Sequence, residues 1–268
     1  MVGEEASISE TSPFKVSKQW YENMFWLDFI RDFSDEQLKL IRLHVGLITG
    51  KPWFFYAKSP VNNFTDGQKS NEYPVADYLN LIKSLPKRLH GKEPISHPLV
   101  KKVGIMWKNR LISNDLLRYQ RTVTNLYASG LLDAAEDPLV VEIGGGYGGL
   151  AHQMIRGLVG IRCYVIFDLP QMLYWPSVFL RINNPDLKIY LYDKKSFDTQ
   201  GIDDIVANYD VVLLPFYLVA RLTHMPAIDI AINMLSMSEM ADIQIRAYCQ
   251  FLANNLRGWF YSENPNQT

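Results

Sequence analysis

Cysteine is nearly absent from this sequence: Cys163 and Cys249 are its only two among 268 residues. Two cysteines are too few for a disulfide framework, so we expect a reducing, cytoplasmic environment. No cluster of cysteine and histidine has the spacing of metal ligands, so we expect no metal site.

An excess of charge of either sign is also missing. The chain has 27 Lys and Arg against 28 Asp and Glu, a net charge of -1. This balance gives no electrostatic reason to expect a nucleic-acid partner. The longest apolar run, residues 211–220, has about half the length that spans a bilayer, so we expect no transmembrane segment. The acidic N-terminus lacks the apolar stretch of a signal peptide, so we expect none. The sequence does not predict the oligomeric state.

Apolar residues make up 48% of the sequence, which is enough for a large hydrophobic core. Up to about residue 137 the apolar spacing is helical, and we predict a helical N-terminal cap over residues 1–132. Its helices are expected near residues 20–29, 34–50, from Pro74 to 86, 97–112 and 114–129, with Gly130 closing the last.

From residue 138 the pattern changes to short apolar runs that alternate with helix-length segments. Such runs are typical of parallel strands buried on both faces. We therefore predict that residues 133–268 form a doubly wound, Rossmann-like α/β domain with a mostly parallel sheet. Its strands are expected at residues 139–143, 161–167, 187–192, 209–214, 228–235 and 259–262, the last after a long helix from about 238 to 255.

A glycine-rich turn follows the first of these strands. Gly144, Gly146, Gly148 and Gly149 let the backbone bend sharply and approach a ligand without a Cβ clash. The helix that follows presents free N–H groups at its start, and ligands of such sheets bind beyond the carboxyl ends of the strands. We call residues 144–149 the glycine turn and predict that it binds a nucleotide-like cofactor.

Two acidic residues bear on which cofactor this is. Asp168 ends the second strand, 24 residues after Gly144, where its carboxylate is placed to accept two ribose hydroxyls. The turn also satisfies the G-x-G-x-x-G pattern of dinucleotide folds, a weak signal by itself. Glu142, two residues before the first glycine, favours a ligand with a cationic end over an anionic pyrophosphate. S-adenosylmethionine, with its ammonium and sulfonium groups, is such a ligand.

Four segments carry a family resemblance. VVEIGGGYGG at residues 140–149 resembles motif I of class I methyltransferases, and IFDLP at 166–170 resembles the second-strand motif of small-molecule O-methyltransferases. With NMLSMSEM at 233–240 and FYSEN at 260–264, the set resembles the sugar O-methyltransferase family over roughly residues 110–264. A class I sheet usually ends in an antiparallel hairpin, whereas only one strand is predicted here after the last long helix.

The resemblance implies a class I methyltransferase fold, S-adenosyl-L-methionine as cofactor, and a sugar or glycan hydroxyl as acceptor. In class I enzymes a polar residue after the third strand meets the adenine; Asp193 is in that position, and a solvated loop aspartate is an equal alternative. The predicted cofactor-binding residues are Glu142, Gly144, Gly145, Gly146, Tyr147, Gly148, Asp168, Leu169 and Asp193. Two other interpretations stay open: an NAD-dependent oxidoreductase, and a non-catalytic protein that binds S-adenosylmethionine.

Methylation of an alcohol requires a general base within hydrogen-bond reach. Glu239 and His224 follow predicted strands where active-site groups of this architecture occur, and we predict one of them, Glu239 first, as the base. Leu214 is in the place where amino-group methyltransferases have a polar residue, so we disfavour an amine acceptor. Asn233 lies in an apolar strand, where burial is costly without a hydrogen-bond partner.

Overall fold

The computed structural model describes residues 62–64, 73–92, 105–133, 136–158, 160–170 and 172–264. The two helices expected near residues 20–29 and 34–50 lie outside these residues. Within them the chain forms a six-stranded parallel sheet with helices on both faces, which establishes a Rossmann-like α/β fold. Helices and a small three-stranded sheet come before it in the chain.

The strands fall into two groups. The small sheet contains β1 (Asn62–Phe64), β2 (Ile105–Trp107) and β3 (Arg110–Ile112). The strands of the large sheet are β4 (Leu139–Ile143), β5 (Cys163–Asp168), β6 (Ile189–Leu191), β7 (Val211–Pro215), β8 (Ile228–Met234) and β9 (Leu256–Glu263). All six strands predicted from the apolar runs are thereby confirmed.

The α-helices of the described residues are α1 (Tyr73–Ile82), α2 (Asn114–Ala128), α3 (Gly149–Gly157), α4 (Tyr174–Asn183), α5 (Lys194–Gln200), α6 (Ile202–Asn208) and α7 (Asp242–Asn255). Three short 3₁₀ helices are Lys87–Leu89, Phe216–Ala220 and Ser236–Glu239. Helix α2 begins after Ser113, whose hydroxyl accepts a hydrogen bond from the Leu116 N–H at 3.0 Å, the geometry of an N-cap.

The order of strands in the large sheet is β6-β7-β5-β4-β8-β9, with every neighbouring pair parallel. Without the edge strand β6, the remaining strands have the 3-2-1-4-5 order of classic doubly wound folds. Strand β7 therefore holds the third place in this order and β8 the fourth. Along the chain they are the fourth and fifth strands of the large sheet. The point where the order reverses, at β4 and β8, is where ligands of such sheets bind.

Both faces of the large sheet are buried, which explains the continuous apolar runs of its strands. One face packs against α2, α3 and α4, and the other against α6, α7 and the Phe216–Ala220 turn. Strand β4 shows the alternation: Val140 belongs to the first core cluster, and Val141 and Ile143 belong to the second. The sheet is therefore a rigid layer whose strand ends are the place left for a ligand.

The helix predicted over residues 97–112 is wrong for its described part. Strands β2 and β3 pair as an antiparallel hairpin there. The two residues between them, Lys108 and Asn109, have φ values of +44° and +60°. Positive φ at both central residues is the signature of a type I′ turn, whose twist matches that of the paired strands. The N-terminal region is therefore helical only in part.

Helix α2 connects this N-terminal region to the large sheet. Its Tyr119, Val123 and Leu126 belong to the same core cluster as Leu150 and Met154 of α3. Helix α2 therefore shares the core of the doubly wound domain, and the cap over residues 1–132 as a whole stays a prediction.

This packing predicts the result of truncation. We expect a chain that begins at Asp133 to have a low soluble yield, because the surface of α3 that packs against α2 would be exposed to water. Soluble yield and the cooperativity of thermal unfolding measure this, with the full chain as the reference. A truncated chain that unfolds cooperatively at the temperature of the full chain would show that the N-terminal region is independent.

Candidate functional site

The glycine turn connects β4 to α3 through three residues with positive φ. Gly144, Gly146 and Gly148 have φ values of +74°, +55° and +84°. A Cβ on Gly144 would lie 2.2 Å from the Ser236 Oγ, so only glycine fits there. No atom of the described residues lies within 4 Å of the position of a Cβ on Gly146, so the backbone there borders space that a ligand can approach.

Asp168 links the glycine turn to the end of the second strand. Its Oδ2 accepts a hydrogen bond from the Gly146 N–H at 2.8 Å, and its Oδ1 accepts one from the Leu169 N–H at 2.7 Å. The Gly144 N–H donates to the Phe167 carbonyl oxygen at 2.8 Å. These bonds hold the carboxyl ends of β4 and β5 in one fixed geometry around the Asp168 carboxylate.

A crevice opens beside this carboxylate. The space between its walls amounts to about 430 Å³, a volume that includes open solvent. Its walls combine the strand ends with the Ser236–Glu239 turn and the start of α7. The lining residues are Gly144, Phe167, Asp168, Leu169, Phe216, Ser236, Glu239, Met240, Gln244 and Tyr248. Two of these ten described residues are acidic and none is basic.

Glu142 lies beneath the glycine turn and does not line the crevice. Its side chain is buried, and its Oε2 accepts a hydrogen bond from the Tyr164 hydroxyl at 2.9 Å. The same oxygen would lie 3.2 Å from a Cβ on Gly145. Glu142 therefore acts on the crevice through its charge and through support of the turn, and its predicted contact with a cofactor stays a prediction.

Burial changes the acidity of both carboxyl groups. Loss of hydration raises the pKa of Asp168 to about 7, and the nearby Glu239 raises it further, against the two N–H bonds that lower it. Loss of hydration likewise raises the pKa of Glu142 to about 7, against the Tyr164 hydrogen bond that lowers it. A positively charged ligand in the crevice would favour the ionised form of Asp168.

The strand ends beside the crevice are joined by a polar network of Asn233, Ser236 and Asn264, here called the Asn233 network. The Asn233 amide donates to the Ile143 carbonyl oxygen at 2.9 Å and to the Ser236 Oγ. The Asn264 amide donates to the Asn233 Oδ1 at 2.9 Å. The buried asparagine thus has the partners that its sequence position demanded. Sequence analysis missed the roles of Ser236 and Asn264, although both lie in the segments that carry the family resemblance.

Three of the predicted cofactor-binding residues, Gly145, Tyr147 and Leu169, pack around the glycine turn or line the crevice. A Cβ on Gly145 would lie 2.7 Å from a methyl group of Ile166, so this glycine packs tightly on β5. Tyr147 is buried between Tyr119 and Phe179, with edge-to-face ring contacts to both. Leu169 lines the crevice. Tyr147 therefore holds α2 and α4 against the turn, and its contact with a cofactor stays a prediction.

Three further predicted residues lie at different distances from the crevice. Asp193 is exposed and caps α5, with its Oδ1 accepting from the Ser196 N–H at 2.8 Å. His224 is 72% exposed, and its Nε2 lies 3.4 Å from Asp203. Glu239 lines the crevice. Of the two candidate bases, only Glu239 is therefore in the crevice, and Asp193 follows the edge strand β6, not the strand in third place.

The strand order also corrects the argument from Leu214. That residue ends β7, which holds the third place in the sheet. The strand in fourth place is β8, and the polar residue at its end is Asn233. The apolar side chain of Leu214 is therefore no argument against an amine acceptor, because it is on β7 and not on the strand in fourth place. Asn233 has its amide engaged by Ile143 and Ser236, so it is part of the scaffold.

Two further properties of the described residues concern metals and membranes. No three His, Cys, Asp or Glu side chains in this part of the chain converge to hold a metal ion. None of the helices that it contains has the length and apolar composition needed to cross a bilayer.

The two raised pKa values predict an unusual dependence of stability on pH. Between about pH 4 and 7 the folded chain binds more protons at Glu142 and Asp168 than the unfolded chain does, so the free energy of unfolding falls as pH rises through this window. Glu142→Gln keeps an acceptor for Tyr164 and removes the titration. We expect this variant to lose less stability between pH 5 and 8, by about 1–3 kcal/mol.

Chemical denaturation at a series of pH values measures this difference, and Glu136→Gln on the exposed surface is the matched control. Parallel pH profiles for Glu142→Gln and the parent chain would mean that Glu142 does not titrate with a raised pKa.

Comparison with known proteins adds little to this geometry. No family model and no curated protein matches the chain. Among solved structures it is similar to precorrin 8W decarboxylase from Methanobacterium thermoautotrophicum, with 17% sequence identity and a TM-score of 0.31 over 50% of this chain and 57% of that chain. The chain thus spans little more than half the length of that protein. A likeness of this extent assigns no activity, and the strand order of the large sheet is what establishes the Rossmann-like α/β fold.

Proposed function

We propose that the chain is an S-adenosylmethionine-dependent O-methyltransferase that acts on a hydroxyl of a sugar or a sugar-containing glycan precursor. The observation that carries this proposal is the crevice at the carboxyl ends of the strands. It joins a glycine turn, a carboxylate at the end of the second strand, and a second carboxylate at Glu239. Each of these features has a role in holding an adenosine with a cationic sulfur.

The charge of the crevice favours S-adenosylmethionine over a nicotinamide dinucleotide. A nicotinamide dinucleotide brings a pyrophosphate, which two acidic lining residues would repel and no basic lining residue would neutralise. S-adenosylmethionine brings a sulfonium, which the same two carboxylates attract. The ionised Asp168 has capacity beyond its two N–H bonds, because a carboxylate offers about four acceptor positions. Those remaining positions fit ribose hydroxyls.

The chain's own residues would then perform three tasks. Asp168 and the glycine turn hold the adenosine, and the rings of Phe216 and Tyr248 exclude water from part of the crevice. The bound cofactor supplies an electrophilic methyl group. Glu239 takes the proton from the acceptor hydroxyl as the oxygen is methylated. Most of the rate enhancement would come from alignment of the two reactants.

The choice of a sugar as acceptor rests on the sequence resemblance of residues 233–240 and 260–264. These two segments contact each other next to the crevice. The Asn264 Oδ1 accepts a hydrogen bond from the Ser238 N–H at 3.1 Å. Ser236 and Gln244 also line the crevice, where their side chains hydrogen-bond to Ile143 and Ala241.

Cofactor binding is tested first. Calorimetric titration of the full chain with S-adenosylmethionine, S-adenosylhomocysteine and NAD should give binding of the first two only. We expect Asp168→Ala to weaken both by about 1.5–3 kcal/mol, since charge-assisted hydrogen bonds to the ribose are lost. Asp198→Ala on the exposed surface of α5 is the charge-matched control. Gly146→Val should also prevent binding, because its side chain would fill the open space at the turn.

Equal affinity of the parent chain, Asp168→Ala and Gly146→Val for S-adenosylhomocysteine would place the cofactor elsewhere. Binding of NAD alone would support the oxidoreductase in its place.

The general base is tested by kinetics once an acceptor is known from a screen with labelled cofactor against nucleotide sugars and glycans. We expect Glu239→Gln to lower kcat by about a hundredfold or more with little change in the affinity for S-adenosylhomocysteine, whose sulfur carries no charge. His224→Ala should leave kcat unchanged, because His224 is exposed and outside the crevice. Normal turnover of Glu239→Gln with a loss in His224→Ala would reverse this assignment.

A further inference from the structure

The guanidinium of Arg118, on helix α2, lies beside the glycine turn, and one of its N–H groups has no acceptor among the described residues. The Arg118 Nε is buried and has no hydrogen-bond partner among the described residues. Its Nη2 donates to the Tyr119 hydroxyl at 3.0 Å and forms an ion pair with the Asp115 Oδ1 at 3.6 Å, and neither contact involves the Nε. A buried guanidinium N–H without an acceptor is costly, and a ligand anion would satisfy it.

The surroundings of Arg118 place it at the end of the glycine turn. The Tyr119 ring packs on Gly149, whose Cβ, if present, would lie 2.3 Å from it. The Tyr147 hydroxyl lies 3.3 Å from the Asp115 Oδ2, so the turn and the first half of α2 are held together. Arg118 is also close enough to Glu142 to favour the ionised form of that carboxyl.

The length of the turn fits an elongated ligand. Gly146 bonds to Asp168 at one end, and Gly149 packs against Tyr119 at the other. Two residues of chain lie between these points, which are at most about 10 Å apart. A ligand whose ribose is held by Asp168 and which follows the turn would reach the neighbourhood of Arg118 with its other end.

From these contacts we infer that Arg118 is a cofactor-specificity residue, whose guanidinium binds the carboxylate of the amino-acid tail of S-adenosylmethionine and of its demethylated product. This inference rests on the proposed function and extends it to the far end of the cofactor. Arg118 would accept ligands that carry the amino-acid carboxylate and discriminate against nucleosides that lack it, while Asp168 holds the nucleoside part of both.

Two ligands separate the roles of the two ends. S-adenosylhomocysteine has the complete tail, and 5′-methylthioadenosine has the nucleoside thioether without it. We expect the parent chain to bind the first at least about tenfold more tightly, as one charge-assisted hydrogen bond implies. Arg118→Gln should lose about ten- to hundredfold in affinity for S-adenosylhomocysteine and keep its affinity for 5′-methylthioadenosine. Asp168→Ala should weaken both ligands.

Arg121→Gln is the matched control, because Arg121 is on the same helix, is exposed, and forms its ion pair with Asp77, at 3.8 Å. Its affinities should equal those of the parent chain. A measurement on the parent chain alone guards against a variant that misfolds: decarboxylated S-adenosylhomocysteine keeps the amine and loses only the carboxylate. It should bind about as weakly as 5′-methylthioadenosine or up to about tenfold better.

The outcomes are distinguishable. If the parent chain binds neither ligand, the proposed function fails and this inference fails with it. If the parent binds both ligands and Arg118→Gln weakens them equally or not at all, the inference alone is overturned. It is also overturned if Arg118→Gln leaves cofactor affinity intact and raises only the KM of an acidic acceptor, because Arg118 would then bind the acceptor's anion.

Discussion

The Asn233 network is the interaction on which the geometry of the crevice depends. Asn233 is fully buried at the end of β8, and its two amide functions bind three different segments. Its Nδ2 donates to the end of β4 at Ile143 and to Ser236, and its Oδ1 accepts from Asn264 after β9. One side chain thereby joins three strand ends, in addition to the backbone pairing of Asn233 with Ile143 and with Ser262.

Much of the local backbone follows from this constraint. Ser236 also donates to the Ile143 carbonyl oxygen at 2.9 Å, so its side chain lies over the first residue of the glycine turn and leaves no room for a Cβ at Gly144. Just before Ser236 the chain turns at Leu235, whose φ of +68° is uncommon for a residue that is not glycine. The Leu235 N–H donates to the Glu263 carbonyl oxygen at 2.7 Å, which stabilises this conformation. The turn that carries Glu239 to the crevice follows directly.

The sequence predicted these features unequally. The strands of the large sheet were predictable because burial on both faces produces apolar runs that need no knowledge of neighbours. The place of each strand was not, since β6 is only three residues long and pairs outside β7, and chain order says nothing of such an insertion. That is why the chain order predicts the third place for the strand before Asp193 and the fourth for the strand of Leu214, whereas these are the edge strand β6 and the third-place strand β7. The β2–β3 hairpin escaped notice because Lys108-Asn109 lacks the glycine that usually marks a type I′ turn.

The acidity of the crevice has a consequence for the proposed reaction. Attraction of a sulfonium to Asp168 and Glu239 strengthens binding of the cofactor, but attraction that is equal in the ground state and the transition state does not accelerate the transfer. What accelerates it is a charge placed where positive charge develops, on the acceptor oxygen as it is methylated. Of the two carboxylates, Asp168 accepts hydrogen bonds from the Gly146 and Leu169 N–H groups, on the side of the glycine turn. Glu239 lies on a separate wall, after the Asn233 network. This division gives one carboxylate to cofactor binding and leaves the other for the acceptor, so the same acidic crevice can serve affinity and rate through different residues.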